Sequence, residues 1–389
     1  MVLNCTYKIK TILFDKIFLE DMNTIEVEKE QTEHLNPVIG KMLANEHEQV
    51  VFCYDKPTGL KAIIAIHNTT LGPSLGGTRM WRYENETEAL NDVLRLSRGM
   101  TYKSAISGLN LGGGKAVIIG DSSKDKSEAF FRRFGKFVES LSGKYITAED
   151  VGISPKDMEY VSMETKYVSG LPSSLGGSGD PSPVTAHGVF MGMKASAKEL
   201  YGSDNLKGKK VIVQGVGHVG RYLVQYLTEE GAEVIISDIN KKAISEVSDQ
   251  YQTEIVEGDA IYDYEADIYA PCALGATLND NTIPRLKCKI VAGSANNQLE
   301  DEIRHGAMLQ DYGILYAPDF LINAGGLINV YREVKGISEE RAMELTSNIY
   351  NTTLAIYAQA KKDKITPNEA AMVLAQKRID DVAKLKAKI

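Results

Sequence analysis

Two lysines in the N-terminal half of the chain have the types and spacing to supply an amine base. Lys115 follows three consecutive glycines and precedes an apolar run, 116–119, that is typical of a buried strand. Lys103 lies twelve residues earlier, at the end of a segment, 88–103, whose apolar spacing predicts a helix. We expect the chain to fold back between them and to bring both ammonium groups to one pocket. Two neighbouring cations disfavour each other's charge, so one lysine would be neutral near pH 7; the alternative is that both are solvated surface lysines.

A carboxylate is predicted at the end of a later strand. Residues 145–148 have the composition of a strand that delivers Glu149 and Asp150 to its C-terminal end. In α/β sheets that end is where ligands bind and chemistry takes place. The sequence therefore offers Asp150 as a proton-transferring acid.

Two glycine-rich stretches surround these groups and predict turns. The first, 108–114, is expected to form a loop before the strand that begins near Lys115. The second, LGPSLGGTRMW at 71–81, is predicted to be another turn, with Gly76 and Gly77 beside an arginine. Glycine permits sharp bending or the close approach of another group.

The strongest single motif, VIVQGVGHVG, lies in the second half of the chain. A predicted strand, 211–214, leads into Gly215-x-Gly217-x-x-Gly220, and a helix follows to residue 230. Gly215 permits the tight turn, Gly217 lets the backbone approach a pyrophosphate, and Gly220 packs helix against strand. The N-terminus of the helix offers unpaired N–H groups to phosphates. This pattern predicts a dinucleotide-binding site.

An acidic residue refines the choice of cofactor. A second predicted strand, 234–237, ends at Asp238, 23 residues after Gly215. A carboxylate there accepts hydrogen bonds from both ribose hydroxyls but repels a 2′-phosphate, which favours NAD over NADP. The alternative is that Asp238 caps a helix that starts at Asn240.

The candidate groups together fit one chemistry. A dehydrogenase that acts on an amino acid needs a cation for the α-carboxylate, a carboxylate for the α-ammonium proton, and a low-pKa lysine that helps water add to the imine. The lysine pair, Asp150, the NAD motif and the polar pair Asn296 and Asn297 supply these types.

The order of elements predicts an α/β protein of two domains. Strand-like segments 266–271, 289–294 and 314–318 each end before a polar loop, as in a doubly wound sheet. A Gly-, Ser- and Pro-rich stretch between 170 and 184 is typical of an interdomain hinge. We expect C-terminal helices, capped at Ser338 and Thr366, to return to the first domain. The predicted parts are an N-terminal extension 1–36, a substrate domain 37–175, a Rossmann domain 176–330 and C-terminal helices 331–389.

Composition excludes several classes of protein. A net charge of −8 over 389 residues argues against a nucleic-acid partner and against an anionic membrane surface. No apolar run is long enough to span a bilayer, and the N-terminus lacks the pattern of a signal peptide. The four cysteines form no CxxC or zinc spacing, and the histidines show no ligand spacing. These features predict a cytoplasmic protein with reduced thiols and no metal site.

Long motifs over about residues 45 to 380 resemble the Glu/Leu/Phe/Val dehydrogenase family, and leucine dehydrogenases in particular. The matching stretches are LGPSLGGTRMW, GMTYKSAISGLNLGGGKAVIIGD, YITAEDVG, GDPSPVTAHG, VQGVGHVG, APCALGA, GSANNQL and YAPDFLINAGGLINV. The resemblance implies a substrate domain with the subunit contacts, a cleft, and a Rossmann domain that closes over it. It also implies reversible NAD-dependent oxidative deamination of an amino acid to a 2-oxo acid and ammonia, by a homo-oligomer for which an octamer is one option.

The resemblance also implies roles for individual residues. Lys115 would be the catalytic lysine and Asp150 the proton-transferring acid, while Lys103 would hold the substrate carboxylate with help from Gly76 and Asn297. Thr185 would contact the nicotinamide amide and Asp238 the adenosine ribose. The other cofactor positions are Gly215, Gly217, His218, Val219, Gly220, Ile239, Cys272, Ala273 and Asn296.

Substrate choice follows from the residues that match the pocket of the family. Family members that use glutamate have a lysine where this chain has Leu75, and the other matching positions are apolar: Met100, Ala148, Leu327 and Val330. A buried carboxylate without a partner costs several kcal/mol, so we expect leucine, isoleucine and valine to react and glutamate to be rejected. Leu327 is larger than the valine that is usual in leucine enzymes, which would favour valine. The alternatives are a valine- or phenylalanine-preferring enzyme and a catalytically silent NAD-binding protein.

Overall fold

The structure is a computed structural model that describes residues 37–386, so the predictions for the N-terminal extension lie outside the described residues. Two β-sheets organise the chain, as the α/β prediction requires. The elements of the first part, in chain order, are α1 (Pro37–Ala44), β1 (Gln49–Asp55), β2 (Leu60–Asn68), β3 (Ser74–Trp81), α2 (Glu86–Ile106), β4 (Gly112–Ile119), α3 (Glu128–Ser140), β5 (Tyr145–Glu149) and α4 (Pro155–Ser162).

The first sheet is mixed and has the order β1-β2-β4-β3-β5. A hairpin joins β1 to β2, β2 pairs antiparallel with β4, and β3 lies parallel to both β4 and β5. Helix α2 packs its apolar residues on one face of this sheet, beside Ile63 and Val117. The phenylalanine-rich helix α3 covers the other face, beside Ile64 and Ile118. The lysine-bearing strand β4 is therefore buried between two helical layers.

The turn predicted at 71–81 is wrong, because residues 74–81 form strand β3 in the middle of the sheet. The glycine loop predicted at 108–114 is wrong in its second half, because β4 already begins at Gly112. In both places glycine serves close packing between strands and a helix. A Cβ on Gly77 would lie 2.9 Å from the Cβ of Asp150, and one on Gly113 would lie 2.5 Å from the Ser97 carbonyl oxygen.

The second sheet is parallel throughout, with the order β8-β7-β6-β9-β10-β11. This is the doubly wound order of a Rossmann fold, as predicted. Helix α5 connects the two sheets. The elements of this second part, in chain order, are α5 (Ser182–Tyr201), β6 (Lys210–Gln214), α6 (His218–Glu230), β7 (Glu233–Ser237), α7 (Lys241–Tyr251), β8 (Glu254–Ile255), β9 (Ile268–Pro271), β10 (Ile290–Val291), α8 (Glu302–Asp311) and β11 (Leu315–Tyr316).

The last of the C-terminal helices returns to helix α2 of the first part, which confirms that prediction. They are α9 (Asp319–Ile322), α10 (Gly325–Lys335), α11 (Glu339–Ser347), α12 (Ile349–Asp363) and α13 (Pro367–Lys386). From α13, Arg378 donates hydrogen bonds to the carbonyl oxygens of Ala105 and Leu109 at the end of α2. The predicted caps are present, since Ser338 accepts from Arg341 N–H and the Thr366 hydroxyl from Glu369 N–H. No helix within residues 37–386 combines the length and apolar character that a bilayer span requires.

Candidate active site

The two lysines face one region because helix α2 packs directly against the glycines of strand β4. Gly113 has no side chain, so its backbone lies against the Thr101 amide and hydroxyl, two residues before Lys103. Lys115 follows two residues later in β4, and its side chain is buried. Each ammonium group lies near enough to the other for Lys115 to lower the pKa of Lys103. The structure thus brings together the pair that the sequence predicts.

Asp150 lies directly against Lys115. The Lys115 Nζ donates a hydrogen bond to Asp150 Oδ2 at 2.5 Å, and both side chains are largely shielded from solvent. Gly77 makes this contact possible, because a side chain on that residue would collide with Asp150 and with the Glu149 carbonyl. The predicted acid and the predicted base therefore form one ion pair at the end of β5.

Burial and the neighbouring charges together set the pKa values of this pair. Burial lowers the pKa of Lys115, and the Arg79 guanidinium adds to that effect, while Asp150 opposes it. Burial alone would raise the pKa of Asp150, but Lys115 and Arg79 outweigh it and hold that pKa below its usual value. A carboxylate that stays ionised beside a lysine that releases its proton readily is suited to proton transfer.

Lys103 is linked to the second sheet by a chain of amides. Its Nζ donates to Asn323 Oδ1 at 2.6 Å, and Asn323 Nδ2 donates to Asn296 Oδ1 at 2.9 Å. Burial lowers the pKa of Lys103 to about 8, although the nearby Asp319 opposes this shift. Lys103 has no carboxylate within ion-pair distance among the described residues, so its charge is available to an anionic ligand.

The residues that the sequence predicts to line an apolar substrate pocket are buried or partly buried. Leu75 and Leu327 are buried, Met100 and Val330 are partly buried, and all four belong to one hydrophobic cluster. Ala148 is buried on β5, in register with Gly77 of β3. The Gly76 carbonyl accepts a hydrogen bond from the Tyr145 hydroxyl at 2.6 Å.

The glycine motif forms a cradle that fits a dinucleotide. Gly215 has a φ of +100°, and a Cβ there would lie 2.8 Å from Ala273 N, so the turn needs glycine. A Cβ on Gly217 would meet nothing within 4 Å, which leaves open space above the loop. Gly220 packs against the Gly215 carbonyl. Helix α6 starts at the exposed His218 and has no side-chain cap, so its first N–H groups are free to bind phosphate.

Asp238 ends β7 beside this cradle. Its Oδ2 accepts a hydrogen bond from Val216 N–H at 2.8 Å, and its Oδ1 accepts one from Asn240 N–H. The alternative role as a helix cap is wrong, because the Asn240 side chain caps α7. Ile239 is fully exposed next to Asp238.

The remaining cofactor positions lie on helices α5 and α6 and in the loops that follow β9 and β10. Thr185 is buried near the start of α5, and a Cβ on Gly326 would lie 3.2 Å from its hydroxyl. Cys272 follows β9, and its Sγ accepts a hydrogen bond from Ser294 N–H. Ala273 and Asn296 are exposed and Val219 is partly buried.

Three residues of this centre are not among those that the sequence predicts. Arg79 lies beside Asp150, Asn323 holds Lys103, and Asp319 lies buried behind Lys103. Asn297, predicted to hold the substrate carboxylate, has an exposed side chain, and its carbonyl accepts from Ala276 N–H. Asn296, predicted as a cofactor residue, is the one connected to Lys103 through Asn323.

Comparison with known proteins finds amino-acid dehydrogenases that match nearly all described residues. The model of the Glu/Leu/Phe/Val dehydrogenase dimerisation domain matches residues 47–167. The model of glutamate/leucine/phenylalanine/valine dehydrogenase matches residues 176–242 and 236–386. Leucine dehydrogenase of Thermoactinomyces intermedius is 56% identical over 88% of this chain and 93% of that protein. Phenylalanine dehydrogenase of Lysinibacillus sphaericus is 50% identical over 89% and 91%.

The three-dimensional comparison agrees with the sequence comparison. The crystal structure of L-tryptophan dehydrogenase from Nostoc punctiforme matches with a TM-score of 0.82 and 47% identity, over 89% of this chain and 99% of that one. Since the family models cover both sheets and a leucine dehydrogenase is 56% identical over 88% of this chain, the chain belongs to the Glu/Leu/Phe/Val dehydrogenase family.

Proposed function

We propose that the protein catalyses the reversible NAD-dependent oxidative deamination of L-leucine, L-valine and L-isoleucine to 2-oxo acids and ammonia. One observation carries this proposal: the buried Lys115–Asp150 pair lies beside a second cation, Lys103, and beside the apolar side chains around Leu75. Relatives named leucine dehydrogenase, at 54–56% identity, support the same substrate class.

The residues of this chain would divide the work as follows. Lys103 binds the α-carboxylate, exchanging its neutral partner Asn323 for a charged one. Asp150 accepts a proton of the α-ammonium, so that the nitrogen lone pair can form the C=N bond of the imine as the Cα hydrogen leaves with its electron pair. Lys115, with its lowered pKa, takes a proton from the water that adds to the imine carbon. NAD, when bound along the Gly215–Gly220 cradle, supplies the hydride acceptor.

The choice of NAD rests on Asp238. Its carboxylate lies at the end of β7 and contacts the loop that would hold the pyrophosphate. A 2′-phosphate placed there would meet a like charge in a partly buried position, whereas ribose hydroxyls would find an acceptor. Thr185 is proposed to contact the nicotinamide amide, and Cys272 and Ala273, which lie against the Gly215 turn, are proposed to contact the dinucleotide.

The pocket argues for a branched aliphatic side chain. Leu75 occupies the position from which glutamate-using relatives offer a lysine, and it is buried. A glutamate side chain would therefore lose water without gaining a partner, at a cost of several kcal/mol. Phenylalanine is the second candidate, because a phenylalanine dehydrogenase is 50% identical to this chain. Valine preference would follow if Leu327 shortens the pocket.

The family model of a dimerisation domain supports self-association. We propose a homo-oligomer, for which an octamer is one option, and a cytoplasmic location remains a prediction. Light scattering of the purified chain measures the subunit number.

The test is initial-rate NADH formation at alkaline pH with L-leucine, L-valine, L-phenylalanine and L-glutamate in parallel. Branched-chain activity without glutamate activity is the expected result. Lys115→Ala should lose about 10²–10⁴-fold in kcat, as for removal of a general base, while NADH binding survives. Lys61→Ala, which removes an exposed lysine from the neighbouring strand β2, is the matched control. A chain that binds NADH but deaminates none of the four amino acids would instead be a silent relative.

A further inference from the structure

Arg79 of strand β3 also contacts the proposed catalytic pair. Its Nε lies 3.3 Å from Asp150 Oδ2, the same oxygen that accepts the hydrogen bond of Lys115. One carboxylate oxygen of Asp150 therefore faces two cations, one from β3 and one from β4. Only about a quarter of the Arg79 side chain is exposed, so the interaction is partly shielded from water.

Arg79 is itself fixed by a carboxylate on helix α2. Its Nη1 donates to Asp92 Oδ2 at 3.0 Å, and the Tyr83 hydroxyl donates to that oxygen at 2.7 Å. The other oxygen, Asp92 Oδ1, accepts from Arg95 at 2.9 Å. Arg95 thus shares Asp92 with Arg79 but forms no ion pair with Asp150, whose partners among residues 37–386 are Arg79 and Lys115, and the Arg95 side chain is mostly exposed.

We propose that Arg79, anchored by Asp92, is a positioning residue that orients the Asp150 carboxylate towards Lys115 and sets the pH range in which the pair works. The inference rests on the proposed deamination. It adds a residue that acts through Asp150 and Lys115 without touching the substrate.

The charges around the pair support this role. Burial raises the pKa of Asp150, and Lys115 on β4, Arg79 on β3 and the Val151 backbone lower it. On β5 itself, burial raises the pKa of Tyr145, and Asp150 adds to that effect. Arg79 faces Asp92, Tyr83 and Asp150. Arg79 holds down the pKa of Asp150 and also lowers that of Lys115.

The sign of the effect follows from the proton states that deamination needs. Asp150 must be ionised and Lys115 must be neutral, and both states are reached on the alkaline side of their pKa values. Without Arg79 both pKa values rise, so the acidic limb of the kcat/KM profile should move to higher pH. The two changes reinforce each other instead of cancelling.

The experiment compares the pH profile of kcat/KM for L-leucine in Arg79→Gln, Arg79→Lys and the control Arg95→Gln. For Arg79→Gln we expect the acidic limb to move up by about one pH unit, a tenfold loss on that limb. Arg95→Gln should match the parent. Arg79→Lys keeps the charge but loses the planar fork, so the limb should stay in place while kcat falls several-fold.

Several outcomes would overturn the inference. One is that the profiles of Arg79→Gln and Arg95→Gln superimpose on that of the parent while thermal unfolding shows all of them folded. If Arg79→Gln does not fold, Arg79→Lys decides, and a parent-like kcat for it refutes the positioning role. An inactive parent chain would count against the proposed function instead, so the two failures are distinguishable.

Discussion

Gly113 is the residue whose enlargement should most directly separate the two lysines. A Cβ on Gly113 would lie 2.5 Å from the Ser97 carbonyl oxygen and still closer to the Thr101 amide nitrogen and hydroxyl. These are atoms of helix α2, which carries Lys103, while Gly113 and Lys115 share strand β4. Gly113→Ala therefore acts as a spacer between the elements that carry the two ammonium groups.

The size of the effect follows from these contacts. Ordinary contact begins near 3.4 Å, so α2 would have to withdraw from β4 by about 1 Å. Overpacking of this kind costs about 1–3 kcal/mol of unfolding free energy. A displacement of about 1 Å in a catalytic site can lower the rate about a hundredfold. We expect Gly113→Ala to lose about that much kcat/KM for L-leucine and several degrees in Tm.

Gly99 supplies the matched control. It lies in the same helix, and a Cβ there would meet nothing within 4 Å. Gly99→Ala should keep the parent rate and gain about 0.5–1 kcal/mol from better helix propensity. The assay is NADH formation together with thermal unfolding of both variants. A Gly113→Ala protein with the parental rate and the parental Tm would refute the claim that α2 packs too closely on β4 to leave room for a Cβ at residue 113.

Three further predictions concern the cofactor, the acid stability and the hinge. Asp238→Ala should shift the ratio of NAD to NADP activity towards NADP by about tenfold or more, because it removes a negative charge from the ribose site; an unchanged ratio in coenzyme kinetics would contradict the cofactor assignment. Burial and nearby positive charge lower the pKa of His67 to about 3. The stability that the neutral imidazole contributes to the fold is therefore complete above pH 6.5 and is lost as the pH falls towards 3. Near pH 4.5 the unfolded state binds a proton at His67 that the folded state does not bind, which costs about 2–3 kcal/mol of folding free energy. The Tm of His67→Gln should therefore fall less on acidification than that of the control His218→Gln. The Glu333 carboxylate accepts hydrogen bonds from both ends of the linker 170–178. Glu333→Ala should therefore speed proteolytic cleavage of that linker, and an unchanged cleavage rate would show that these hydrogen bonds do not hold the linker in place.

The sequence predicts those parts of the fold that depend on short-range pattern. The helix with apolar spacing around Lys103, the strand that ends at Asp150 and the strand–glycine–helix unit at Gly215 all depend on residues close in the chain. Their periodicity and caps are local, so they were predicted correctly to within a few residues. The lysine pair could be inferred for the same reason, since only eight residues separate α2 from Lys115.

The parts that failed depend on contacts between distant segments. The glycines at 76–77 and 112–114 were assigned to turns, because glycine in a strand makes sense only once the neighbouring strand and helix are in place. Asn323 gave no signal because it meets Lys103 across 220 residues of chain. Once residues 74–81 form a strand, Arg79 lies two residues beyond the paired glycines, on the strand next to Asp150.

The two lysines start from similar environments, and the substrate itself would drive their roles apart. Both are buried and both have lowered pKa values, but Lys103 faces the neutral amide of Asn323 whereas Lys115 faces the carboxylate of Asp150. An α-carboxylate bound to Lys103 replaces a dipole by a full negative charge and fixes that lysine as a cation. An α-ammonium that shares Asp150 adds positive charge next to Lys115 and favours release of its proton. On the proposed assignment, one amino acid bound in one orientation thus makes one lysine the anchor and the other the base. A ligand with a carboxylate but no amine should lack the second effect, so Lys115 would titrate at higher pH in that complex than in the complex with leucine.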